Sequence, residues 1–171
     1  MFMTSINIAL DVKNYNEGPC IKVYTDSEIL FDGRVKEKGL CNLSFETELV
    51  LPGNLTIEHH GKNMKIDTKV GSDGNILDDK GFCIKNVKID ECLLVHELFK
   101  FKYITETGAV VKNTNYLGFN GKFIIDIDKG DLYEWYSGWQ KSLASTQELF
   151  SFDKFRKEIF DGESNHDKVV Y

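Results

Sequence analysis

YLGFNGKFIIDI, residues 116–127, sets an Asn120-Gly121 pair between two runs rich in strand-forming residues. Both central residues of a type I′ turn need positive φ, a conformation that Asn and Gly tolerate. The stretch therefore predicts a β-hairpin whose strands cover residues 116–119 and 122–127. This is the strongest sign of antiparallel structure in the sequence.

Period-two alternation extends this prediction over most of the chain. Apolar residues alternate over 6–11, and 21–23 continue the pattern after a Gly18-Pro19 turn. Two further alternating runs, 43–49 and 55–59, are separated by Leu-Pro-Gly-Asn at 51–54. Because these four are turn residues, the two runs are predicted to form a second antiparallel hairpin.

The apolar pattern changes parity within residues 82–89. Phe82 and Ile84 share one parity, whereas Val87 and Ile89 share the other. One extra residue in the strand would keep both pairs on the same face, so a β-bulge is predicted near Lys85-Asn86.

Short strands with frequent turns and no βαβ rhythm favour a mostly β fold, an antiparallel two-sheet sandwich over residues 1–130. One or two C-terminal α-helices and a polar tail are expected over 131–171. Asp131 precedes an apolar stripe of helical spacing and has Glu134 three residues later, which is typical of a helix start. Ser145 with Glu148 repeats this pattern and predicts a second helix, and 152–159 is amphipathic.

Composition narrows the classes of partner. The net charge is -6, from 21 Lys and Arg against 27 Asp and Glu, and this argues against binding to a nucleic acid duplex. No apolar run approaches the roughly 20 residues that a membrane-spanning helix needs, and no secretory leader is visible, so no membrane partner is expected. The four cysteines form no CxxC pair, which argues against zinc and favours reduced thiols.

Three segments together resemble a known family: LTIEHHGKN at 55–63, GSDGNILDDKGFCIKNVKID at 71–90, and NYLGFNGKFIIDIDKGDLYEWY at 115–136. They are similar to a family of small, largely uncharacterised proteins of tailed bacteriophages, particularly marine T4-like ones. The chain departs from that pattern at Gly81, where Ala is usual, and at Asp90-Glu91, which replaces Asp-Gly. A Pro-rich loop of the family is replaced by residues 99–111.

The family's core in turn resembles the jelly-roll fold of calcium-dependent carbohydrate-binding modules. The resemblance implies a virion component that is made in the host cytoplasm and is either architectural or glycan-recognising. The implied partners are other phage structural proteins, with a homo-oligomer and a glycan as open alternatives. Fold alone does not transfer a function.

Oxygen-bearing side chains are concentrated around two glycines in the segment 67–79. Calcium takes six to eight oxygen ligands from flexible loops, so this segment is the candidate metal site. A solvated turn between strands has the same composition, and no Glu closes an EF-hand spacing. No other cofactor is expected. The candidate ligands are Asp73, Asn75, Asp78 and Asp79.

His59 and His60 are neighbours in one strand and should point to opposite faces, so they are not expected to bind one metal together. Glu58 or Asp67 could pair with His60 in acid–base chemistry, but the sequence offers no nucleophile and no pair of catalytic carboxylates. The chain is therefore expected not to be an enzyme.

Aromatic residues are densest at the start of the predicted helix, and flat aromatic faces serve both glycan and protein contacts. Tyr136 is expected to pack in the core. The candidate contact residues are Tyr133, Trp135, Trp139 and Phe155. The preferred hypothesis is a non-catalytic virion-associated adaptor that acts through protein contacts, and the alternative is a calcium-dependent carbohydrate-binding module.

Overall fold

The computed structural model describes residues 3–149, with side chains described for residues 3–144. Thirteen strands form two large antiparallel sheets and a separate two-stranded hairpin within this part of the chain. The strands are β1 Thr4–Lys13, β2 Cys20–Thr25, β3 Ile29–Arg34, β4 Gly39–Thr47, β5 Gly53–His60, β6 Thr68–Val70, β7 Ile76–Asp79, β8 Gly81–Ile89, β9 Cys92–Leu94, β10 Lys102–Thr105, β11 Val110–Val111, β12 Tyr116–Leu117 and β13 Gly121–Ile127.

The two large sheets form a β-sandwich, as the sequence predicts. One sheet has the order β12-β8-β1-β4, with β9 beside β8, and the other has the order β11-β10-β13-β5-β2-β3. His59 of the second sheet meets Phe82 of the first with ring centroids 5.4 Å apart. Every second residue of the central strands faces this interior and is at most 1% exposed; these core residues include Ile6, Ile8, Leu10, Ile21, Val23, Leu55, Ile57, Ile84, Val87, Phe123 and Ile125.

The predicted β-bulge is present in β8. Leu10 of β1 pairs with Ile84, whereas the preceding Ala9 pairs with Asn86, so Lys85 is the extra residue. The extra residue restores the parity of the strand and keeps both Ile84 and Val87 buried.

The hairpin predicted around Asn120-Gly121 is wrong. β12 pairs with β8 in one sheet, whereas β13 pairs with β5 and β10 in the other. Gly121 is required for a different reason, because a Cβ there would lie 2.5 Å from the carbonyl oxygen of Ile104. The glycine therefore permits close approach of β10 rather than a two-residue turn.

The hairpin predicted across 51–54 is also wrong. β4 pairs with β1, whereas β5 pairs with β2 and β13, so the segment between them carries the chain from one sheet to the other. Turn residues end a strand without fixing its next partner, and a sandwich uses the same residues for hairpins and for crossings.

A short 3₁₀ helix, Glu97–Lys100, precedes β10, and an α-helix, α1, covers Leu132–Leu149. The predicted start is confirmed, because the Asp131 carboxylate accepts a 2.8 Å hydrogen bond from the backbone N–H of Glu134. Ser145 lies inside α1, so the prediction of a second helix starting there is wrong. The amphipathic stretch 152–159 lies outside the described residues. No helix in the described part of the chain is long and apolar enough to span a bilayer.

The chain divides into two compact units, and the first ends at Trp135, inside α1. The first unit therefore contains the sandwich, the β6–β7 hairpin and the first turn of the helix.

Candidate functional site

Charged side chains of alternating sign cross the outer face of the six-stranded sheet at one level. The register places Lys22 of β2 opposite Asp32 of β3 on one side and opposite Glu58 of β5 on the other. Glu58 is in turn opposite Lys122 of β13. We call these four residues the charged row. Directly opposite residues on neighbouring antiparallel strands lie close enough to interact, so the row forms one continuous surface.

Tyr24 lies beside the charged row. The Lys22 ammonium sits 5.8 Å from the centre of the Tyr24 ring. The pKa of the Tyr24 hydroxyl is raised, first by partial burial and then by the negative charge of Glu58, while Lys122 acts in the opposite direction. The ring is thus held among the charged groups of the row.

A shallow cavity of about 130 Å³ opens at the β13 end of the charged row. Carboxylate, ammonium, imidazole and amide groups contribute to its wall. The Asn120 side chain is fixed there, because it hydrogen-bonds to the backbone N–H and C=O of Lys62 and to Glu106. The lining residues are Glu58, His59, His60, Gly61, Ile104, Glu106, Asn120, Gly121 and Lys122.

The two histidines point to opposite faces of β5, as the alternation predicts. His59 is 0% exposed, its Nδ1 lies 3.0 Å from the carbonyl oxygen of Leu117, and its Nε2 is buried without a hydrogen-bond partner among the described residues. Burial, followed by the nearby charge of Lys62, lowers the pKa of His59 to about 4. His60 faces outward and meets Asp32 at 3.2 Å, so neither Glu58 nor Asp67 is its partner.

Asp79, one of the predicted calcium ligands, is buried and already coordinated by protein groups. Its carboxylate accepts hydrogen bonds from the Lys62 ammonium, the Tyr116 hydroxyl and the Thr68 hydroxyl. Burial alone would raise the pKa of Asp79, but these hydrogen bonds, led by the one from Lys62, outweigh burial and lower it. Its oxygens are therefore not available to a metal in this arrangement.

A second ion pair lies next to this network. The Lys80 ammonium is 2.7 Å from the Asp67 carboxylate, and both side chains are less than 10% exposed. Asp67 also accepts a 2.8 Å hydrogen bond from the backbone N–H of Asn63. Burial would raise the pKa of Asp67, but the hydrogen bonds from Lys80 and Asn63 lower it. Both pairs lie at the open end of the β6–β7 hairpin, where Thr68 pairs with Asp79, and Lys62 joins this end to the loop after β5.

The remaining predicted calcium ligands form a turn rather than a cage. The Asp73 carboxylate accepts hydrogen bonds from the backbone N–H and the side-chain amide of Asn75, and Asp78 accepts one from the backbone N–H of Asp79. In the described part of the chain, no three His, Cys, Asp or Glu side chains are grouped as a metal site requires. The segment therefore has the geometry of a turn in this structure, and calcium binding by these residues stays a prediction.

The four predicted aromatic contacts have different surroundings. Tyr133 is 56% exposed and Trp139 is half-buried. Trp135 is only 3% exposed, stacks on Phe101 with ring centroids 6.2 Å apart, and donates a 3.0 Å hydrogen bond from its indole N–H to the carbonyl oxygen of Asp126. The prediction of Trp135 as a surface contact is therefore corrected, because its ring packs in the core. Phe155 lies outside the described residues.

Sequence reasoning missed the charged row and the buried lysines. Lys22, Asp32, Glu58 and Lys122 lie on four strands that only the pairing order brings together. Lys62 and Lys80 have no sequence pattern that distinguishes them from surface lysines. Asp67 and Asp79, which the sequence did single out as oxygen donors, bind these lysines instead.

Comparison with known proteins gives a distant likeness. No protein-family model matches the sequence, and no curated protein matches it. One similar solved structure is vCBM60 in complex with galactobiose, which is 9% identical with a TM-score of 0.48 over 71% of this chain and 97% of that one. Another is a selenomethionine form of vCBM60, described within work on two families of calcium-dependent carbohydrate-binding modules; it is 8% identical with a TM-score of 0.44 over 72% and 90% of the two chains. Similarity at this level does not assign a function to the chain, so the function is argued below from the geometry of its own residues.

Proposed function

We propose that the protein is a non-catalytic carbohydrate-binding module that binds a neutral glycan on the outer face of its six-stranded sheet. The observation that carries the proposal is the charged row with its adjoining cavity and the Tyr24 ring beside it. The proposal includes no calcium ion, because Asp79 already accepts a hydrogen bond from Lys62 and Asp73 accepts one from Asn75.

The chemistry of the row suits sugar hydroxyls. Each hydroxyl both donates and accepts a hydrogen bond, so a surface that alternates carboxylates with ammonium groups can satisfy both roles. Glu58 and Lys122 offer such a pair at the mouth of the cavity. The ring of Tyr24 and the side chain of Ile104 supply apolar surface of the kind that packs against the C–H face of a sugar.

The test is a titration of the full chain, followed by NMR of its backbone amides, with a panel of soluble neutral disaccharides that includes galactobiose. Support would be shifts confined to the charged row and the cavity that vanish in Glu58→Gln with Lys122→Met. The matched control is Asp11→Asn with Lys85→Met, which removes an exposed ion pair of 4.0 Å from the other sheet and should bind like the unchanged protein. Absence of any shift on this face, or binding that survives the first pair of substitutions, would refute the proposal.

A second candidate function is the adaptor role through protein contacts, and the β6–β7 hairpin favours it. Five large apolar side chains between 44% and 63% exposed lie in the hairpin or in the residues just before it: Met64, Ile66, Val70, Ile76 and Leu77. Concentrated exposed apolar surface is typical of protein interfaces. Selection of displayed peptides on the protein, with counter-selection on Ile76→Lys with Leu77→Lys, would support this role if it recovers peptides that need the apolar side chains. The phage origin and the virion location remain predictions.

A further inference from the structure

β4 is a nine-residue strand at the edge of its sheet. Among the described residues it pairs along all nine of its residues with β1 and with no strand on its other side. A long unpaired edge presents backbone donors and acceptors to any other extended chain.

The side chains of β4 that face the sandwich interior are only partly buried. Leu43 lies opposite Ile8, and Phe45 opposite Ile6, so these residues face the same side of the sheet as the core. The β1 residues are at most 1% exposed, whereas Leu43, Phe45 and Cys41 are only half-buried. A further strand beside β4 would complete the burial of this row.

The charged residues at the two ends of β4 indicate which strand could pair with its free edge. Lys36 and Lys38 precede the strand, with Glu37 between them, and Glu46 and Glu48 lie at its end. All of these side chains are exposed. In an antiparallel pair the start of one strand meets the end of the other, so a second β4 would bring each basic start next to an acidic end.

We infer that the chain forms a twofold-symmetric dimer in which β4 pairs antiparallel with β4 of a second copy. Directly opposite residues of an antiparallel pair share a face, so a pairing centred on Asn42 or Leu43 joins the two apolar rows. The same surface serves both copies, as a twofold interface requires. The inference does not depend on glycan binding, because the charged row lies on the other sheet.

The test is sedimentation equilibrium of the full chain over a range of concentrations, with two charge-reversed proteins. One carries Glu46→Lys with Glu48→Lys, and the other carries Lys36→Glu with Lys38→Glu. Each alone places like charges opposite each other and should weaken the dimer by about tenfold or more. An equimolar mixture should restore association to within about threefold of the unchanged protein, since opposite charges then meet again.

The matched control is Ile76→Lys with Leu77→Lys on the β6–β7 hairpin, which should leave the dimer unchanged. A chain that stays monomeric at every concentration overturns the inference, and so does a dimer that both charge-reversed proteins form normally. Loss of the dimer in the control would show that the hairpin, rather than β4, joins the copies.

Discussion

The Lys62 ammonium donates a hydrogen bond to the Asp79 carboxylate where almost no water reaches, since the two side chains are 0% and 8% exposed. The same ammonium donates to the carbonyl oxygen of Gly118, and the carboxylate accepts from Tyr116. One ion pair therefore joins the loop after β5, the end of β7 and the β12 region. A buried charge is tolerated when it is paired and its remaining hydrogen bonds are made.

Removing the charge of Asp79 should therefore lower the free energy of unfolding. Asp79→Asn leaves the Lys62 ammonium buried without a counter-charge, and loss of one partner of a buried pair costs about 3–5 kcal/mol. Urea unfolding measures the change in the free energy of unfolding. Asp11→Asn, which removes one partner of the exposed Lys85 pair, is the control and should cost at most about 1 kcal/mol. Equal effects of the two substitutions would contradict the buried pair's role.

His59 should make stability depend on pH above the carboxylate range. Its folded pKa of about 4 lies below the unfolded value of 6.5, so the unfolded chain binds the proton first as the pH falls. Stability is then complete above about pH 6.5 and decreases toward pH 4, with about 2 kcal/mol lost between pH 7 and pH 5.

His59→Gln keeps a donor for the Leu117 carbonyl oxygen but does not titrate, so it should flatten this part of the stability curve. Asp67 and Asp79 have lowered folded pKa values, and their contribution is present above the unfolded value of about 4 and is lost at lower pH. An unchanged slope between pH 7 and pH 5 in His59→Gln would argue against a buried neutral imidazole.

The sequence predicts local features of this fold better than its strand partners. The Lys85 bulge and the Asp131 cap follow from rules that act within a few residues, namely the parity of a strand and the first turn of a helix. The Asn120-Gly121 pair is compatible with two different local structures. It is typical of a hairpin turn, yet here Asn120 bridges to Lys62 and Gly121 allows close approach of β10.

The charged row could not be predicted from the sequence, because it too depends on which strands are neighbours. Lys22, Glu58 and Lys122 become one row only through the order β2-β5-β13, and sequence distance contains no information about that order. The acidic segment was recognised, but its interpretation depended on Lys62 and Lys80. Whether a carboxylate is a metal ligand or half of an ion pair is decided by tertiary contacts.

Trp135 should behave as a core residue. Trp135→Ala removes its stacking on Phe101 and its hydrogen bond to Asp126, and a truncation of this size in a core costs about 3–5 kcal/mol. Tyr133→Ala, at an exposed position two residues earlier, should change the free energy of unfolding by about 0.5 kcal/mol or less. Chemical denaturation of both variants checks this, and similar costs would mean that the two aromatics share one environment.

Calcium should leave the stability of the protein unchanged. A ligand that binds only the folded state raises stability by RT ln(1 + [L]/Kd), so a real site would raise the Tm when calcium is in millimolar excess. The Asp79 carboxylate already accepts hydrogen bonds from Lys62, Thr68 and Tyr116, and the Asp73 carboxylate accepts one from Asn75, so a calcium ion would have to displace these protein partners. Thermal unfolding with calcium and with a chelator should give the same Tm. A clear rise with calcium that disappears in Asp73→Asn would show that the turn rearranges into a metal site, and glycan binding would then have to be measured with the ion present.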